Sequence, residues 1–208
     1  MLDVEGFILV GGASSRMGRD KSRLMLGSQT TVERIAEAMA EVATRVRLVG
    51  RLIGGHDDEN RFESVPDLAD SWGPLGGIQA ALHAAEAEWC LVIACDLPFV
   101  STGLLRRLLE LRSNKTGSFD AVVPIQADDY PQPLCAAYRR LPCLDAADQS
   151  IRKREHSPRE LLDKVNTRYV PFAEISDLTG ASNFFFNINT PENYERAQSL
   201  CQNLERRS

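Results

Sequence analysis

Short apolar runs rich in Val, Ile and Leu alternate along this chain with longer stretches of helical period, and that alternation narrows the possible folds more than any other feature. It is the pattern of α/β domains, in which each helix carries the chain back to begin another strand. Strands are expected at residues 4–10, 46–49, 63–65, 90–94, 121–124, 134–138, 168–172 and 184–188. The first and fourth are nearly all apolar, as strands buried on both faces must be. The spacing therefore predicts a mostly parallel central sheet with helices on each side. At 208 residues the chain fits one domain, 1–208.

Helices are expected over 32–43, 76–87 and 104–111, with further ones opening at Ser157 and Thr190. Thr30 and Glu33 have the spacing of a capping box, Ser101 can cap the third helix, and Ser157-Pro158-Arg159-Glu160 combines a cap, a first-turn proline and a box glutamate. Residues 145–158 are strongly polar and read as a mobile insertion.

Charge and composition exclude several classes of function. There are 24 Lys and Arg against 29 Asp and Glu, so a net charge of −5 offers no overall attraction to nucleic acid or an anionic membrane. The longest apolar run, 89–95, is far short of the roughly 20 residues of a spanning helix. Asp3 and Glu5 stand where a secretory leader would carry Lys or Arg, so the protein is expected to be cytoplasmic, with no nucleic-acid or membrane partner. The five cysteines form no CxxC pair and the three histidines lie far apart, which predicts reduced, buried thiols and no zinc site.

The strongest local signal follows the first strand, where Gly11-Gly12-Ala13-Ser14-Ser15-Arg16-Met17-Gly18-Arg19-Asp20-Lys21 forms a loop of small residues. Such a backbone can turn tightly and aim its amides at an anion. Between Gly11 and Arg23 four basic residues face one acid, so a −5 chain carries a +3 loop. A Walker A loop is excluded because Arg19-Asp20 separates Gly18 from Lys21, and Gly11, Gly12 and Gly18 do not have the dinucleotide-binding spacing.

The run LVGGASSRMGRDK resembles the signature L-x-G-G-x-S-x-R-M-G-x-D-K of the molybdenum cofactor guanylyltransferases. Three more stretches match in order: Val65-Pro66-Asp67 leading to Gly73-Pro74-Leu75-Gly76-Gly77, then Ala94-Cys95-Asp96-Leu97-Pro98, then Asn187-Ile188-Asn189-Thr190-Pro191. The resemblance implies a three-layer, Rossmann-like nucleotidyltransferase fold and transfer of GMP from GTP to molybdopterin with release of pyrophosphate. It also implies Lys21 on the triphosphate, Arg16 as a phosphate clamp, and Asp96 as the ligand of a Mg2+ cofactor. Leu9, Val10, Gly11, Gly12, Asp67, Gly76 and Gly77 would line the nucleotide, and Gln132, Pro133, Asn187 and Asn189 the acceptor. Transient contact with cofactor-biosynthesis or acceptor proteins would follow. One departure stands out: Gly50 occupies a position where the family often has an asparagine touching the nucleotide.

Several of these residues admit a second reading from the sequence. Asp96 before Leu97-Pro98 is also a turn sequence, and Gly73–Gly77 also suits the start of a helix. Residues 129–134 read either as an acceptor loop or as a hairpin connection. Arg152, Lys153, Arg154, His156 and Arg159 read either as a phosphate site or as a solvated face. Trp72 suits stacking on a ligand; Trp89, leading into a core strand, suits packing. A nucleotidyltransferase using CTP or a sugar or polyol phosphate, and a binding module without chemistry, are the competing functions.

Overall fold

The computed structural model describes residues 3–10, 21–50, 62–66, 72–114 and 117–205. Seven strands form the central sheet: β1 (Val4–Leu9), β2 (Arg45–Val49), β3 (Glu63–Val65), β4 (Trp89–Ala94), β5 (Ala121–Pro124), β6 (Cys135–Arg139) and β7 (Thr167–Val170). Their order is β7-β5-β6-β4-β1-β2-β3. Every pairing is parallel except those of β6, which runs opposite to β4 and β5. Leu9 is level with Val49 on one side and Ala94 on the other, so the central strands end together at one edge.

Side-chain alternation explains the three layers. Val4, Ile8, Leu91 and Ile93 enter one apolar cluster, whereas Phe7, Cys90 and Val92 enter another. Helices α1 (Thr31–Ala40) and α3 (Thr102–Glu110) cover the first; α2 (Gly73–Ala84), α4 (Arg140–Arg152) and α5 (Pro158–Leu162) cover the second. A third cluster, including Leu24, Leu26, Phe99 and Ile188, packs beneath α6 (Pro191–Glu205). Both expected capping boxes form, at Thr30 with Glu33 and at Ser157 with Glu160. The five cysteines are buried and form no disulfide among the described residues.

Three expectations are corrected. Residues 184–188 do not form a strand: a 3-10 turn over Ala181–Asn183 leads into them, and Phe184 and Ile188 fill two different clusters. α2 begins at Gly73, not at 76, because Pro74 needs no amide partner in the first turn. The supposed mobile stretch 145–158 is mostly helix: α4 runs to Arg152 and buries Cys143, Ala146, Ala147 and Ser150.

Candidate active site at the carboxyl edge of the sheet

Backbone hydrogen bonds past the strand ends build the floor of the site. Val10 N–H donates to the Val49 carbonyl, Gly50 N–H to Val65, Cys95 N–H to Leu9 and Ala94 N–H to Leu134. Loops from β1, β2, β4 and the β5–β6 connection are thereby tied along one edge, where open α/β sheets place their ligands. The Leu9 carbonyl and the Val10 amide are thus engaged by the protein itself. Gly11, Gly12, Arg16 and Asp67 lie outside the described residues.

Lys21 opens a 3-10 turn, Lys21–Arg23, against the start of α1. The fully buried Thr31 fixes that turn: its Oγ1 donates to the carbonyls of Lys21 at 2.8 Å and Ser22 at 3.0 Å, and its amide donates to Leu24 at 3.0 Å. From there the Lys21 Nζ lies 3.5 Å from Asp96 Oδ2 and 2.5 Å from Asn189 Oδ1. The two residues singled out for phosphate and metal chemistry, 75 positions apart in sequence, therefore meet over the end of β4.

Asp96 is mostly buried, its side chain 19 % exposed. Burial pushes its carboxyl above the usual 3.8, opposed by the Lys21 charge, by the Lys21 hydrogen bond and by the Asn187 amide. Asn187 and Asn189 flank the buried Ile188, whose N–H donates to the Asp96 carbonyl at 3.0 Å. Ile188 anchors the segment in the third cluster while its neighbours reach Asp96 and Lys21. The pairing of each asparagine with one charged residue was not foreseen from sequence, and neither was Thr31; the adjacent Thr30-Thr31 was the only visible hint.

On the other side of the sheet, Gly76 and Gly77 lie buried in the first turns of α2. A Cβ on Gly77 would stand 3.2 Å from the Leu9 side chain, so this glycine admits Leu9 against the helix. Gly50 has φ +105° and a Cβ there would fall 2.0 Å from the Val10 carbonyl oxygen. An asparagine side chain does not fit this backbone, so residue 50 does not supply the nucleotide contact that the resemblance implied there.

The 129–134 stretch is a hairpin connection placed at the same edge as Asp96, held by Gln132 N–H to Pro124 O and by Tyr138 Oη to Pro133 O. Tyr130 lies under the Arg159 guanidinium, 4.5 Å from ring centre to Cζ. His156 stacks on Trp72, the residue preceding α2, with centroids 4.4 Å apart. The basic segment is thus docked on the rim, and Glu155 within it is paired with Lys164 at 2.6 Å. Trp89 is buried in β4 with Arg112 over its ring, as its packing reading required.

A family profile described as "MobA-like NTP transferase domain" matches residues 6–167. The chain belongs to this family. It is 34% identical over 207 residues, 98% of this chain and 96% of the other, to a "Probable molybdenum cofactor guanylyltransferase" of Pelotomaculum thermopropionicum. Among solved structures, "Molybdopterin-guanine dinucleotide biosynthesis protein A" from Archaeoglobus fulgidus superposes with a TM-score of 0.77 at 30% identity, covering 96% of this chain and 99% of that one. The 2-C-methyl-D-erythritol 4-phosphate cytidylyltransferase of Thermus thermophilus shares the fold, with a TM-score of 0.67 at 18% identity over 94% of this chain and 98% of its own. The nucleotidyltransferase fold expected from the motifs is the one found. Among the described residues no helix is long and apolar enough to cross a membrane.

Proposed function

We propose that this protein transfers GMP from GTP to the phosphate of molybdopterin, releasing pyrophosphate. The observation that carries the reading is the meeting of Lys21 and Asp96 at 3.5 Å on the carboxyl edge of the sheet, in a chain of this family. In the reaction an oxygen of the acceptor phosphate attacks the α-phosphorus of GTP. A new P–O bond forms, the bond from the α-phosphorus to the α,β-bridging oxygen breaks, and its electron pair leaves with pyrophosphate. No protein nucleophile is needed, so the residues act by position and charge.

Lys21, held by Thr31, would bind the triphosphate and offset charge on the leaving oxygens. Asp96 supplies a mostly buried carboxylate that accepts from the Asn187 amide, and the Asn189 amide oxygen stands on Lys21 beside it. Those hard oxygen donors suit Mg2+, which commonly takes one or two carboxylates and fills its other positions with water and phosphate. Bound by Asp96, the ion would screen negative charge between the two phosphate chains. Gln132 and Pro133 on the hairpin would border the acceptor, and the nucleoside would lie toward β1 and α2. On this reading the enzyme works in the cytoplasm and passes its product to acceptor proteins.

The test is incubation of GTP, Mg2+ and molybdopterin with the protein. Pyrophosphate and the guanine dinucleotide should form together; no pyrophosphate above an enzyme-free control would end the assignment. Parallel reactions with CTP and with polyol phosphates decide base and acceptor, the base being the point on which Gly50 departs from the family.

A further inference from the structure

The Lys21–Asp96 contact has a consequence for the order in which ligands arrive. We propose that, before nucleotide binds, the Lys21 ammonium stands in for the metal at Asp96, so that the carboxylate accepts a divalent ion well only after a triphosphate has drawn the lysine away. This rests on the metal role assigned to Asp96 above.

The Asp96 carboxylate is mostly buried, and among the described residues Lys21 sets its ammonium against it, 3.5 Å away. The lysine is not a loose surface chain. Thr31 fixes its backbone, only 20 % of its side chain is exposed, and Asn189 holds its Nζ at 2.5 Å. Asn187 orients the carboxylate from the same segment. A divalent ion taking Asp96 would therefore arrive beside a fixed positive charge, and like charges in a poorly solvated site repel strongly. Asn189 offers a neutral oxygen that keeps the ammonium in place without cancelling its charge.

A triphosphate reverses this balance. Its oxygens are better partners for an ammonium than an amide oxygen is, so they turn Lys21 away from Asp96 and bring negative charge for the metal. Nucleotide and metal then each strengthen the binding of the other by the same factor, as linkage requires. The enzyme would not hold metal idly, and metal alone would not order the site.

The experiment titrates Mn2+, as the metal alone, into the parent protein and into Lys21→Met, following free Mn2+ by electron paramagnetic resonance. Lys21→Met should bind Mn2+ at least tenfold more tightly, and Lys21→Met with Asp96→Asn should lose that site. Equal Mn2+ affinity in parent and Lys21→Met, or binding that survives the second substitution, overturns the proposal. Lys21→Gln, with a shorter neutral side chain, replaces Lys21→Met if the latter does not fold by circular dichroism. No GTP enters the titration, so failure of guanylyl transfer leaves its outcome readable, and a negative titration leaves the transfer assay standing.

Discussion

Thr31 provides the sharpest test of how the fold places Lys21. Replacing it by valine keeps the shape and removes one hydroxyl, which donates at 2.8 and 3.0 Å to the carbonyls of Lys21 and Ser22 in a fully buried position. The Lys21 carbonyl keeps the Leu24 amide at 3.3 Å, which limits the loss. Withdrawing a buried donor in this way costs about 1–2 kcal/mol. For a chain of this size that corresponds to a fall of roughly 2–8 °C in melting temperature, read by calorimetry. Freedom returned to the turn should also loosen the ammonium, raising the KM for GTP about 3–10-fold, the equivalent of roughly 1 kcal/mol, with kcat less affected. Thr31→Ser retains the hydroxyl and should restore the parental KM. If Thr31→Val melts within about a degree of the parent and its KM for GTP is unchanged, the clamp is not what positions Lys21.

Other expectations follow from the same geometry. Lys21→Met should lower kcat by about 100–1000-fold, the loss usual for one charge-stabilising donor, with an unchanged circular dichroism spectrum; near-parental turnover would remove the lysine from the mechanism. Gly50→Ala forces an L side chain to φ +105° with its Cβ 2.0 Å from a carbonyl oxygen. The backbone strain alone is worth about 1–3 kcal/mol, so a marked drop in the urea midpoint should appear, and an unaltered midpoint would contradict the close approach of the two loops. For Asp96, burial raises the native pKa above the usual 3.8, so the native state binds the proton more tightly than the unfolded chain does. The carboxyl's contribution to stability is complete below the unfolded value and is lost as pH rises through the native one. Asp96→Asn should therefore melt higher than the parent at pH 7, with the gap closing as the pH falls to 3.8, while losing activity. A parent that is the more stable at pH 7 would refute the sign.

Much of the architecture was readable because it rests on local rules. Short segments of strand length, apolar in the central strands, marked all seven strands of the sheet, and the Thr30–Glu33 and Ser157–Glu160 boxes marked the caps of two helices. That Lys21 and Asp96 lie near one another could be expected because the segments after β1 and β4 leave the same edge of the sheet, while the role of Lys21 rested on the resemblance. What stayed hidden depends on contacts through space. The apolar residues of 184–188 look like a strand, yet they serve two clusters at the end of the sheet. Within 145–158 the buried face of α4 is made of small residues, Ala146, Ala147 and Ser150, in place of large apolar ones, so composition concealed a helical stripe. A hydroxyl such as that of Thr31 shows its role only when the carbonyls it clamps are in view.

The reversal of β6 bears on how this enzyme class diversifies. Because that strand runs against its neighbours, the chain between β5 and β6 turns at the edge where Lys21 meets Asp96 and returns at once, with no helix intervening. The hairpin tip can then gain or lose residues without disturbing the turn that carries Lys21 or the end of β4. With the hairpin bordering the acceptor as proposed, exchanging tips between relatives should alter which phosphorylated molecule is accepted while the nucleotide chemistry runs as before.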